Sequence, residues 1–144
     1  MNSNTKEPEK EFIPYEQALE LKELGFNKEC LGYYHTTLSS SDVDLIIGKT
    51  PDRFYHLIRI PEHFDTLAPL YQQAFRWFRE KYDLRISNYR CSIKKEDGIV
   101  IGDGFRIFKY GKDTISTIEK ETYEEAELDC IDKLIEIAKQ QDHD

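Results

Sequence analysis

The sequence predicts an α+β domain, in which a largely antiparallel sheet of about five to six strands is packed by two or three helices in the order α-βββ-α-βββ-α. Three observations carry that expectation. "APLYQQAFRWFREKYDL" and "TYEEAELDCIDKLIEIAK" repeat apolar residues at helical spacing. Short runs rich in β-branched and aromatic residues, bounded by Gly, Ser, Asp or Pro, fill the two intervals before those helices. Within the second interval Asp97-Gly98 is a dipeptide suited to a two-residue hairpin turn, which points to antiparallel neighbours.

Residues 1–11 are polar and charged, and their composition predicts a disordered tail; residues 12–140 are expected to form a single domain. The first helix should start after Pro14, since proline suits the first helical turn, where its missing N–H matters least. It runs through "YEQALELKEL" to Gly25, which can take the left-handed conformation of a helix stop and let Phe26 fold back on Leu21. Glu16, Glu20 and Glu23 share one side, with Tyr15, Ala18, Leu19 and Leu21 on the other.

"CLGYYHT", "DVDLIIG" and "RFYHLIRI" (residues 53–60) then predict up to three strands, the last stopped by Pro61. In the second helix Leu70, Tyr71, Ala74, Phe75, Trp77, Phe78 and Tyr82 fall in one arc, the pattern of a core face. The stretch from Ile86 to Ile118 reads as a β-meander. Tyr89, Cys91 and Ile93 alternate there with Arg90, Ser92 and Lys94, giving an apolar and a wet face, while Gly102, Gly104 and Gly111 mark turns or a bulge. The last helix starts at Thr122, three residues before Glu125 in capping-box spacing. Ala126, Cys130, Ile131, Leu134, Ile135, Ile137 and Ala138 form its apolar face, and "KQQDHD" should fray at its end.

Three helix starts share a tetrapeptide, "YEQA", "YQQA" and "YEEA". Each places Tyr at the start, Glu or Gln in the first turn, where acidic groups favour the helix dipole, and Ala one turn on over the Tyr. Outside the tetrapeptide the three segments have little in common, so a shared way of starting a helix explains them better than an internal duplication does.

A chain of 144 residues buries roughly 70% of its unfolded surface, enough for a core without disulfide or metal staples. The net charge of −8 argues against a general nucleic-acid binder. Cys30, Cys91 and Cys130 are odd in number and form no CxxC pair, which fits small core residues in a reducing cytoplasm better than a disulfide framework or a zinc ribbon. "MNSNTKEPEKEF" lacks the apolar region of a signal peptide, and no apolar run is long enough for a membrane helix, so a cytoplasmic protein without membrane attachment is expected.

"LAPLYQQAFRWFREKYDLRIS" and "TYEEAELDCIDKLIEIAK" resemble segments of small uncharacterised proteins encoded by gut anaerobic bacteria and their phages and prophages, over roughly residues 11–140. The resemblance implies an accessory protein of a mobile element. It carries over no catalytic residue, cofactor or substrate.

Among chemistry-bearing residues, His63 lies between Glu62 and Asp65, a setting for a general base, although a loop with Asp65 capping the next helix is the plainer reading. His35, His56, Cys30 and Cys91 lack the paired spacing of a metal site, and "GDG" (102–104) lacks the remaining ligands of a calcium loop and the lysine of a phosphate loop, so no metal or cofactor is expected and "GDG" reads as a turn. Arg76, Arg79, Arg85 and Arg90, with Lys94 and Lys95, make the middle of the chain locally basic and offer a nucleic-acid surface as an alternative function. Glu125, Asp129, Asp132 and Glu136 line one side of the last helix at spacings of four, three and four. They form a solvated face, a docking surface for a basic host protein, or a partial mimic of a phosphate backbone. The leading expectation is therefore a non-catalytic module that binds or inhibits a host protein.

Overall fold

A computed structural model of the chain describes residues 7–37, 40–48 and 63–144. Three α-helices and six strands occur among them. They are α1 (Tyr15–Glu23), β1 (Gly32–Thr37), β2 (Ser40–Ile47), β3 (His63–Leu67), α2 (Tyr71–Tyr82), β4 (Arg85–Lys95), β5 (Gly98–Phe108), β6 (Thr114–Lys120) and α3 (Tyr123–His143). The fold is α+β, and both sheets are antiparallel. Among the described residues the strands form two sheets of three rather than the expected single sheet, ordered β2-β1-β3 and β4-β5-β6. β1 pairs on one side with β2 and on the other with β3; β5 pairs along its whole length with β4 and, over Asp103–Phe108, with β6. Alternation in a sequence specifies which face of a strand is apolar, but not which edges pair. The chain forms two compact units, residues 1–74 and 75–144, with the boundary inside α2.

In the first unit Glu7–Glu11, part of the expected tail, form a 3-10 helix. Phe12 then bridges Leu70, the Ile13 amide donates to the Pro69 carbonyl at 2.8 Å, and both Phe12 and Ile13 are buried. α1 begins at Tyr15 behind Pro14, as predicted. Its end closes through two backbone bonds: the Phe26 amide donates to the Leu21 carbonyl at 2.9 Å, and that of Gly25 to Lys22 at 3.0 Å. Gly25 has φ +99, so its lack of a Cβ is what permits this stop. Leu21 and Phe26 are buried, whereas Leu19, placed on the apolar side from sequence, is 37% exposed. Tyr34 on β1 packs edge-on against Tyr15 and donates its hydroxyl to the Ile13 carbonyl at 2.6 Å.

The strand expected at 53–60 lies outside the described residues. β3 occupies "HFDTL", so Asp65 sits within a strand rather than capping a helix. The run is short and its polar residues hide the pattern; pairing with β1 over five residues is what makes it a strand.

In the second unit α2 buries Phe75, Trp77, Phe78 and Tyr82, the arc expected from its periodicity, and Leu84 just after it. Trp77 meets Phe78 and Tyr82 edge-on at 5.2 and 5.7 Å. α3 buries all seven residues of its expected apolar face. It runs to His143 and so includes the last residues expected to fray. On β5 the covered face is that of Phe105 and Ile107, with Phe105 against Phe75 and Tyr123 at 5.9 and 5.6 Å.

Pairing of Phe105 with Asn88 and of Ile107 with Ile86 puts the alternate residues Tyr89, Cys91 and Ile93 on the opposite face of the sheet. That face is only half-buried. Gly102 and Gly104, expected in a turn, lie inside β5. A Cβ on Gly104 would stand 2.5 Å from Tyr89 Cζ, and one on Gly102 would stand 2.6 Å from Ile93 Cδ1 and collide with the Lys120 carbonyl oxygen. The two glycines thus serve close approach of neighbouring groups across a flat strand. Gly111, with φ +70, does lie in the turn between β5 and β6.

Candidate functional site

The acidic side of α3 is built by its N-cap and by its buried face. The Thr122 hydroxyl oxygen accepts from the Glu125 amide at 3.2 Å and donates to the Glu125 carboxylate at 2.9 Å, which fixes the helix start. Seven inward residues then fix the rotation of the helix. Glu125, Asp132 and Glu136 are exposed, and Asp129 is half-buried. Lys120 at the end of β6 reaches Asp129 at 2.9 Å, and this bond, followed by the Asp129 charge, raises the lysine pKa. Lys133 bonds Glu136 at 3.2 Å. Lys133 also stands four residues after Asp129 but turns to Glu136, and strand β6 supplies the lysine that Asp129 meets. The four carboxylates do share one side of α3.

The arginines of the middle segment are dispersed. Arg76 bonds Glu80 at 3.1 Å one turn along α2. Arg85 bonds Asp83 at 2.9 Å and lies over the Tyr110 ring at 5.2 Å. Arg90 on β4 stands 3.9 Å from Asp103 on β5. Arg79 is exposed on α2. Carboxylates beside three of these four cations lower the positive potential that a nucleic-acid backbone would meet.

His35 and Asp65 are brought together by the pairing of β1 with β3. They are directly opposite in register, and His35 Nδ1 lies 2.6 Å from Asp65 Oδ1. An ionised carboxylate only accepts, so Nδ1–H of His35 is the donor in this bond. Asp44 is the register partner of His35 on β2, the other neighbour of β1, so a histidine lies between two aspartates across the sheet. Lys22 on α1 donates to the Asp65 carbonyl at 3.3 Å. This row combines a proton-carrying imidazole with two carboxylates on one sheet face. Sequence gave no signal for it, because His35 and Asp65 are 30 residues apart and Asp65 read as a cap.

His56 lies outside the described residues, and the backbone of His63 pairs with Thr37. Among the described residues no group of three or more His, Cys, Asp or Glu side chains could hold a metal ion. None of the three cysteines takes part in a disulfide. Burial pushes the Cys30 and Cys130 thiols up to about 12, so they act as small core residues. Desolvation, then Glu119 and Asp103, raises the Cys91 pKa as well. No described helix is long and apolar enough to cross a membrane.

Comparison with known proteins finds no matching family model, no matching curated protein and no matching solved structure.

Proposed function

We propose that this chain is a non-catalytic accessory protein that docks a basic surface of a host protein on the acidic side of α3. The observation that supports this reading is the exposure of Glu125, Asp132 and Glu136 along a helix whose opposite face is wholly buried. Like charges three and four residues apart work against the helix, by roughly 0.2–0.5 kcal/mol per pair in exposed settings. A run of them kept on the outside of a well-packed helix is what electrostatic steering of a basic partner requires.

The test compares the wild-type chain with Asp132→Lys/Glu136→Lys in nuclease-treated host lysate at several salt concentrations. A protein captured by the wild type, released by salt and not captured by the variant supports the reading. Capture of the same protein by both chains, or of nucleic acid when nuclease is omitted, refutes it.

A further inference from the structure

We infer that the free edge of β5 pairs antiparallel with the same edge of a second copy of this chain, around a two-fold axis at Val100. β4 pairs along the whole of β5, from Gly98 to Phe108, whereas β6 pairs only from Asp103 to Phe108. Gly98–Gly102 therefore form, among the described residues, a strand segment with one edge outside any ladder. Unpaired strand edges are templates for another strand, and proteins that must avoid this place charges, proline or a bulge there. Here the segment has none of these: it reads Gly98-Ile99-Val100-Ile101-Gly102 and is regularly paired with β4 throughout.

The segment reads the same in both directions, and this selects the occupant. In a two-fold antiparallel pairing residue i meets j and j meets i. Centred on Val100, Ile99 meets Ile101 of the second copy, Val100 meets Val100, and Gly98 meets Gly102. Every cross-strand pair then joins like with like in size and polarity, the arrangement that stabilises sheets. The ends fit as well. The Lys120 carbonyl crowds the Cβ position of Gly102, so an incoming strand must present little bulk there, and Gly98 has no side chain. β6 holds the same edge from Asp103 onward, which limits the pairing to five residues.

Exposure agrees with this. Ile99 and Ile101 lie on the same face of β5 as the buried Phe105 and Ile107, yet they are 67% and 57% exposed. In the pair each isoleucine gains a cross-strand isoleucine, and the covered row extends across the axis. An interface this small is at the weak end of specific association, so the dimer should form and dissociate with concentration.

Sedimentation of the full chain over a concentration series is the test. The wild type should shift from one to two chain masses as concentration rises. Ile99→Lys/Ile101→Lys places lysine opposite lysine twice and should weaken self-association by roughly tenfold or more. Ile99→Lys/Ile101→Glu places lysine opposite glutamate twice; it should still associate, and lose that association in high salt. Equal loss in both variants would mean unspecific stickiness and would overturn the register. Retention in both, or a wild type that remains monomeric at every concentration, would overturn the interface. If either variant is misfolded, amide exchange of the wild type decides: protection within Ile99–Ile101 must rise with protein concentration, and protection independent of concentration refutes the pairing.

Discussion

The Tyr89 ring lies across Gly104 of the neighbouring strand, with Tyr89 Cζ 2.5 Å from the place a Cβ would take. From there its hydroxyl donates to Glu119 Oε2 on β6 at 2.7 Å, so one side chain spans all three strands of the second sheet. The neighbouring glycine, Gly102, is crowded by Ile93 and by the Lys120 carbonyl.

Gly104→Ala and Gly102→Ala should therefore differ. At Gly104 the obstacle is the far end of a half-buried tyrosine, which can tilt outward and give up its bond to Glu119. At Gly102 part of the obstacle is backbone, which cannot swing away. Both alanines overpack the strand, an effect of about 1–3 kcal/mol, and Gly102→Ala should lie at the upper end. Urea unfolding of the two variants checks this; a Gly102→Ala protein as stable as the wild type would contradict the close approach.

The same tyrosine belongs to a group that should resist alkaline titration. Burial, then the bond to Glu119 and its charge, pushes Tyr89 up to about 12. Tyr82, whose hydroxyl donates to Asp142 at 2.9 Å, and Tyr34 are also raised to about 12, with desolvation the largest cause in each. The unfolded phenols ionise near 10, so above that pH the unfolded chain has lost protons that the folded chain retains. Stability contributed by these groups is whole below about pH 10 and is lost as pH rises toward 12. Absorbance titration should show a late class of tyrosines among the nine, ionising together with unfolding. Ionisation of all nine in one step near their ordinary value would refute this.

How much of this was legible in the sequence depends on the range of the interaction. Among the described residues the three helices start on the Tyr of the shared tetrapeptide, Tyr15, Tyr71 and Tyr123, which is a local signal. A side-chain cap with acids in the first turn is seen at α3, while α1 has no side-chain cap bond and the first turn of α2 holds no acid. The two sheets also argue against duplication, since β1, the first strand of its group, is central in one, and β5, the second of its group, is central in the other. Helix faces were legible for a related reason: a period of 3.6 residues locates Trp77 and Ile131 without knowledge of what they meet. Strand partners were not. The glycines of "GDG" resemble a turn until Tyr89 is seen to lie on one of them. Asp129 has a like charge three residues on until Lys120 arrives from another strand. His35 meets Asp65 only because β3 returns beside β1.

α3 should be indispensable to the second unit. It buries seven apolar side chains, each contributing roughly 1–3 kcal/mol, against a net domain stability of about 5–15 kcal/mol. A chain ending at Thr122 also uncovers Phe105 and loses the Asp142 partner of Tyr82. Trp77, 5% exposed beside Phe78 and Tyr82, reports on this. Its emission should be blue-shifted in the full chain and move to the red in the truncated one. A truncated chain with native emission and a cooperative thermal transition would show that α3 is dispensable.

The His35–Asp65 bond ties the central strand of the first sheet to its neighbour, and a double-mutant cycle measures it. The side chains are 34% and 23% exposed, so water competes with the bond only in part. A net contribution of about 1 kcal/mol is the expectation for such a hydrogen bond. His35→Ala should destabilise the chain, because Asp65 then keeps its partial burial without this donor, and Asp65→Ala should do so by a comparable amount. Because each change removes the same bond, the double variant should be only slightly less stable than either single one. His35→Gln separates the bond from the ring: an amide that still donates to Asp65 should recover part of the loss. If the two alanine effects add fully, the pair contributes no coupling, and the row Asp44–His35–Asp65 is set by backbone register alone.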